Sequence, residues 1–227
     1  MTAVFVVATI IVFLTIDAIV QRSRKKQSQP ALSQPVEYPV RIPDGIFFTK
    51  SHTWLNLFPS GMVRIGVDDF VGRMLEHPEI IFLKKPGDAI LRGESMLVFR
   101  EGDRALTIRS PLDGSISSCN ENLPKNPSWL KDRLFSDGWG YALKPRRMSD
   151  MKDLLLGNET RSWIKAEFGR LRDFFARATS QGVAPAYLQD GGPPMAGIMK
   201  TMDKRVWEEF ERRFLLVYPE ESHFGVK

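Results

Sequence analysis

Few residues in this 227-residue chain have the types from which a reactive site is built. Its three histidines, His52, His77 and His223, lie far apart in sequence, so only the fold can gather them into a metal trio. Glu76 and His77 set an acid beside a base, but adjacent side chains point apart on a helix or a strand. Surface positions are expected for both. Asp68 and Asp69 offer two carboxylates. An aspartate at the start of a helix also accepts orphan backbone N–H bonds, and a cap is the simpler reading here. Cys119 is the only cysteine, which excludes an intramolecular disulfide and a thiolate-rich metal site. It lies in an apparent strand without basic neighbours, so an inert thiol is expected. Asp190-Gly191-Gly192-Pro193-Pro194 is glycine-rich, yet it lacks the lysine and the strand–loop–helix setting of a phosphate loop and reads as a turn. No Ser–His–Asp or paired-carboxylate arrangement can be assembled. The expectation is a protein that is not an enzyme and has no metal site.

A further group of charged residues sits in the stretch 98–111. Apolar runs there flank Glu101-Gly102-Asp103-Arg104. Gly102 takes positive φ without steric cost and Asp103 suits turn chemistry, so a β-hairpin is predicted. Arg100, Glu101, Asp103, Arg104 and Arg109 make a mixed-sign cluster about its tip. Two readings stay open: a solvated turn, or a docking point, because arginine's planar fork makes directed contacts. Turn signals recur at Pro86-Gly87-Asp88, Arg92-Gly93-Glu94 and Pro111-Leu112-Asp113-Gly114. Short strands between such turns predict a small β-barrel or sandwich. Strands are expected at 47–49, 53–58, 62–67, 79–82, 95–100, 105–109, 114–120 and 139–144. A short helix is expected at 68–75, and a helical turn from Ser128 with Leu130, Leu134 and Phe135 inward.

Six blocks in this region carry a resemblance. They are Phe48-Thr49-Lys50-Ser51-His52-Thr53-Trp54; Ile65-Gly66-Val67-Asp68-Asp69-Phe70; Lys85-Pro86-Gly87-Asp88 with Gly93-Glu94; Ser110-Pro111-Leu112-Asp113-Gly114; Asn120-Glu121-Asn122-Leu123-Pro124; and Asp137-Gly138-Trp139-Gly140-Tyr141 with Lys144-Pro145. In this order and spacing they resemble the glycine cleavage system H protein family. The resemblance implies a lipoyl-like hybrid β-barrel/sandwich and, for the family, a lipoyl group on a hairpin lysine. Counted back from Ser110-Pro111, that lysine falls at Asp103, and a shift of one residue gives Arg104. Neither supplies the primary amine that the lipoyl amide needs. No lysine occurs from residue 89 to residue 121. The expectation is therefore a degenerate member of the family with no lipoate and no other cofactor.

Around this domain the chain carries two additions. Residues 3–20 are almost continuously apolar, just long enough for a helix that spans a bilayer, which takes ~17–25 residues. No basic region precedes them and no small-residue cleavage site follows, so they read as an anchor and not as a removed signal peptide. Arg22-Ser23-Arg24-Lys25-Lys26 follows. Basic residues stay on the cytoplasmic side, so the N-terminus is expected outside and the rest in the cytoplasm, at the inner membrane. That cluster holds part of the net charge of +5, and without interleaved aromatics it does not suggest nucleic acid. Asp17 lies within the span, either hydrated near the interface or touching a partner's membrane helix. Pro30, Pro35, Pro39 and Pro43 mark an extended linker. After Pro145, Ser149 precedes a leucine run. Trp163, Phe168, Leu171, Phe174 and Phe175 recur at helical spacing over about five turns. A second helix is expected at 201–216.

The predicted organisation is a transmembrane helix at 1–21, a basic and Pro-rich linker at 22–45, an H-protein-like β domain at 46–147 and a helical extension at 148–227. The fold class is mainly β with α-helical additions. The function expected is that of a non-catalytic accessory subunit, anchored in the bilayer and capping the cytoplasmic face of a larger membrane complex, respiratory or photosynthetic. The alternatives are an H-type carrier lipoylated at a non-standard lysine, with Lys84, Lys85 and Lys125 nearest, or a tethered scaffold that recruits a soluble enzyme.

Overall fold

The computed structural model of the protein describes residues 42–180 and 197–216. The apolar run 3–20 with Asp17, the basic cluster, the linker as far as residue 41, the 182–194 loop and His223 lie outside them. Among the described residues no helix is long and apolar enough to cross a membrane.

Among the described residues nine strands form two antiparallel sheets. They are β1 (Ile46–Phe48), β2 (Thr53–Leu57), β3 (Val63–Val67), β4 (Glu79–Phe82), β5 (Ala89–Ile90), β6 (Ser95–Glu101), β7 (Arg104–Arg109), β8 (Gly114–Cys119) and β9 (Trp139–Pro145). One sheet has the order β1-β2-β3-β9-β8-β5 and the other β4-β6-β7. Alternation decides which face is inward. In β3, Val63, Ile65 and Val67 are buried, while Arg64 turns out over the rings of Phe58 and Trp139. In β7, Leu106 and Ile108 are buried between more exposed neighbours. Tyr141 of β9 joins the two sheets. Its hydroxyl donates to Met96 O at 2.7 Å and accepts from Lys84 N at 3.1 Å. Burial of this phenol pushes its pKa up to about 12. Gly66 makes room for the buried Trp54, since a Cβ there would lie 2.6 Å from the indole.

Helix α1 (Asp69–Met74) follows β3 and starts at the predicted cap. Asp68 Oδ1 accepts from Phe70 N and Val71 N at 3.1 and 3.2 Å. Helix α2 (Trp129–Asp132) is the predicted turn from Ser128, with Leu130 and Leu134 buried. A 3-10 turn (Met148–Asp153) contains Ser149 and precedes the leucine run, and the Ser149 hydroxyl lies 3.3 Å from Asp150. Helix α3 (Asn158–Ser180) has 23 residues, longer than the five turns expected. The helix predicted at 201–216 is broken near its start: Thr201 ends a 3-10 turn (Ile198–Thr201), and helix α4 (Lys204–Phe210) then runs on into a π turn (Glu211–Leu215). Asp203 causes the first break, because its side chain accepts from Val206 N at 2.9 Å and restarts the helix. The two-residue β5 is too short to leave a pattern in sequence.

The C-terminal helices pack on the β domain. Phe70 of α1 is the contact point, with ring centroids 5.3 Å from Phe168, 5.9 Å from Phe210 and 5.3 Å from Phe214. These rings are buried in one apolar core that continues between the sheets. Apolar burial contributes roughly 25 cal/mol per Å², so this aromatic junction ties the extension firmly to α1.

Candidate functional site

The β6–β7 hairpin closes at Glu101 and Arg104, which pair across its end. Gly102 has φ +66 and Asp103 does not have positive φ, as a two-residue turn with glycine first requires. Asp103 is 83% exposed at the tip. Arg104, one residue on, is only 19% exposed. It enters the C-terminal segment, where its Nη1 donates to Lys200 O at 2.8 Å and also to Met202 O. Its guanidinium lies 5.6 Å from the centre of the Trp207 ring. Trp207 in turn donates from Nε1 to Met199 O at 2.7 Å.

The neighbours of Arg104 are also engaged within the chain. Glu101 is buried, and its Oε1 accepts from Glu76 N at 2.6 Å and His77 N at 2.9 Å. Arg109 donates from Nη1 to Gly93 O and Ser95 Oγ, both at 3.1 Å. Thr107, on the open edge of β7, donates its backbone N–H to Glu211 Oε2 at 2.9 Å. Unpaired edge groups invite pairing with other chains, and this contact covers one of them. Burial raises the Glu211 carboxyl above its ordinary value, against the smaller lowering effect of the Thr107 bond. Arg100 reaches Glu79 at 3.5 Å on the surface. Of the five tip residues singled out by charge, Arg100 and Asp103 face outward, while Glu101, Arg104 and Arg109 hold the fold together.

Nothing in the sequence marked Arg104 as a joint. Its acceptors lie 96 and 98 residues later and are main-chain carbonyls, which any residue type presents.

The other residues with chemical potential are dispersed. His52 is fully buried at φ +60, with Nδ1 2.8 Å from Asp68 Oδ2 and its ring stacked 3.9 Å from Phe70. Asp68 thus links the β1–β2 turn to the start of α1. His77 is exposed, and Glu76 pairs with Lys200 at 2.7 Å. Asp69 pairs with Arg73 at 2.7 Å. Cys119 Sγ lies 3.5 Å from Lys84 O, and burial pushes its thiol pKa up, away from the reactive thiolate. Among the described residues no group of three or more His, Cys, Asp or Glu is placed to hold a metal ion.

The glycine cleavage H-protein family model matches residues 46–167. That is more than half of the chain. The chain belongs to the glycine cleavage H-protein family. A glycine cleavage system H protein of Thermus thermophilus is 32% identical over 115 residues, which are 50% of this chain and 88% of that protein. One from a Psychrobacter species is 28% identical over 118 residues, 52% of this chain and 94% of that protein. The crystal structure of an H protein from Mycobacterium marinum is 23% identical, with a TM-score of 0.43, and covers 52% of this chain and 94% of that chain. The family match runs into the N-terminal part of α3, as far as residue 167.

Within this H-type domain none of the three lysines nearest the hairpin in sequence lies on it. Lys84 follows β4, and its ammonium pairs with Glu94. Lys85 is exposed in the turn before β5, and Lys125 in the turns before α2.

Proposed function

We propose that this chain is an H-type domain without a lipoyl arm, used as a non-catalytic accessory subunit. It is held at the inner membrane through residues 3–20, with its β domain in the cytoplasm on the face of a larger membrane assembly. The observation that carries this reading is the hairpin tip. Counted back from Ser110-Pro111, the family's lipoyl lysine falls at Asp103, or at Arg104 with a shift of one, and Arg104 is tied to the carbonyls of Lys200 and Met202. A swinging arm needs a primary amine on a tip free to move. This tip has no amine and is fastened to the C-terminal segment.

The anchor rests on sequence: an apolar run followed by Arg22-Ser23-Arg24-Lys25-Lys26. An anchor in the bilayer and a contact at the protein surface reinforce each other through effective concentration when the tether spans both. Residues 27–41 supply it, at up to ~3.1 Å per residue in polyproline form. Deleting residues 1–26 is therefore expected to release the protein from the membrane assembly while the β domain stays folded. Blue native electrophoresis of detergent extracts, with full-length and truncated chains compared, measures this. Stoichiometric retention of the truncated chain would show that the anchor is dispensable. Cleavage of the β domain by protease added outside intact cells would reverse the orientation.

A further inference from the structure

One end of the six-stranded sheet gathers features that are scattered in sequence. Ile46 pairs with Asn56, Asn56 with Arg64 and Arg64 with Ala142. The end at which the chain enters β1 is therefore the end at which β2 turns into β3 and β9 finishes. Phe58 N closes that turn by donating to Met62 O at 2.9 Å. Pro145 pairs with Gly114 and Gly114 with Ile90, which brings the link from β5 to β6 to the same end. Asp113 ties these pieces together. Its main-chain oxygen accepts from Arg146 N at 2.8 Å and its Oδ1 from Arg92 N at 2.7 Å.

Three of the six large apolar side chains that are exposed among the described residues lie here: Leu57 at 37%, Leu91 at 58% and Met148 at 46%. Single exposed apolar residues need no explanation, but a group of them marks a contact surface. Lys144 and Arg146 are exposed at the same end. Arg64 lies beside them, its charge centre 5.0 Å from the Phe58 ring and 4.8 Å from the Trp139 ring. Carboxylates are present too: Asp150 holds Arg147 at 3.3 Å, and Asp44 is exposed before β1. What distinguishes this end is basic and apolar side chains in one place, and not a net charge. Long basic side chains lie along apolar surface with their heads outward, and that pairing suits a lipid interface. We propose that this end of the β domain docks on anionic lipid, with Arg64, Lys144 and Arg146 at the headgroups and Leu57, Leu91 and Met148 at the acyl boundary. The inference rests on the anchor at residues 3–20. The chain that follows the anchor reaches the described residues at Ile42, just before β1, so tethering raises the effective concentration of lipid at this end first. Each basic residue near an anionic surface strengthens attachment about fivefold, a modest gain that counts in a tethered domain. The β6–β7 tip lies at the other end of β6, about 20 Å away at ~3.3 Å per residue.

Full-length protein in lipid nanodiscs tests this. Cys119→Ser removes the native thiol, and Met148→Cys or Asp103→Cys then places a single fluorescent label at this end or at the exposed hairpin tip. Nitroxide carried on the lipid quenches a label only at close range. In discs containing phosphatidylglycerol, the label at position 148 is expected to be quenched several-fold more than the label at position 103. In discs of phosphatidylcholine alone the difference should disappear. It should also disappear in the anionic discs when Lys144→Glu and Arg146→Glu are added. Co-elution with the discs and equal quenching at both positions would overturn the proposal and leave the anchor standing. Quenching at position 148 that is the same in neutral and anionic discs would overturn it as well. Elution apart from the discs would instead overturn the anchor, and the dock with it. The comparison between discs uses one labelled protein and does not depend on the charge variants.

Discussion

Arg104 is where the chemistry of the hairpin departs most from that of a carrier. Its Nη1 serves two carbonyls and its charge centre lies 5.6 Å from the centre of the Trp207 ring, so Arg104→Ala strands acceptors at the edge of the core. A hydrogen bond to a charged group is worth about 1.5–3 kcal/mol, and a loss of that order is expected in urea unfolding. Arg104→Lys should recover only part, since a compact ammonium lacks the planar guanidinium that can bond carbonyls and stack on an aromatic ring together. Glu211 predicts a dependence on pH. Its carboxyl is raised by burial above the ordinary value of 4.5, so in the window upward from 4.5 the folded state binds more protons than the unfolded one. Stability contributed there is present at acid pH and lost as pH rises through the raised pKa. Glu211→Gln keeps an acceptor for Thr107 N–H and removes the titration. The variant should show a flatter stability profile than the parent across that window, measured by denaturant midpoints at each pH.

At the scale of elements, α3 tests the packing. Leu171 is fully buried, within the apolar core that holds Phe168 and Phe175. Leu171→Asp would place an unpaired charge there, and a destabilisation of several kcal/mol is expected. If thermal unfolding of the variant matched that of the parent, the stripe would have to be an outer face and not a core. This helix was legible in sequence because Trp163, Phe168, Leu171, Phe174 and Phe175 repeat at the helical period. The hairpin was legible because Gly102 sits between two apolar runs, and α1 because Asp68 stands before one. The break in the last helix was not, since Asp203 reads as a helical residue until its side chain turns back to Val206 N. Nor was the place of Glu101, whose partners are the backbone N–H groups of two residues in another loop. Contacts that join side chains to distant main chain leave no pattern of residue types.

For the molecule as a whole, the family match ends at residue 167, and the described residues 198–215 beyond it meet the hairpin through Arg104, Trp207 and Glu211. The addition thus holds the hairpin through Arg104 and Thr107, while Asp103 at its tip stays exposed. Six sequence blocks made the β domain recognisable, but the use of its hairpin was decided by residues outside them. The central claim is that this hairpin is a joint and not an arm. Intact-mass spectrometry of the full-length protein, produced in a host that lipoylates its own H proteins, tests it most directly. The mass of the unmodified chain is the predicted result. A mass higher by one lipoyl group, on any lysine, would contradict it.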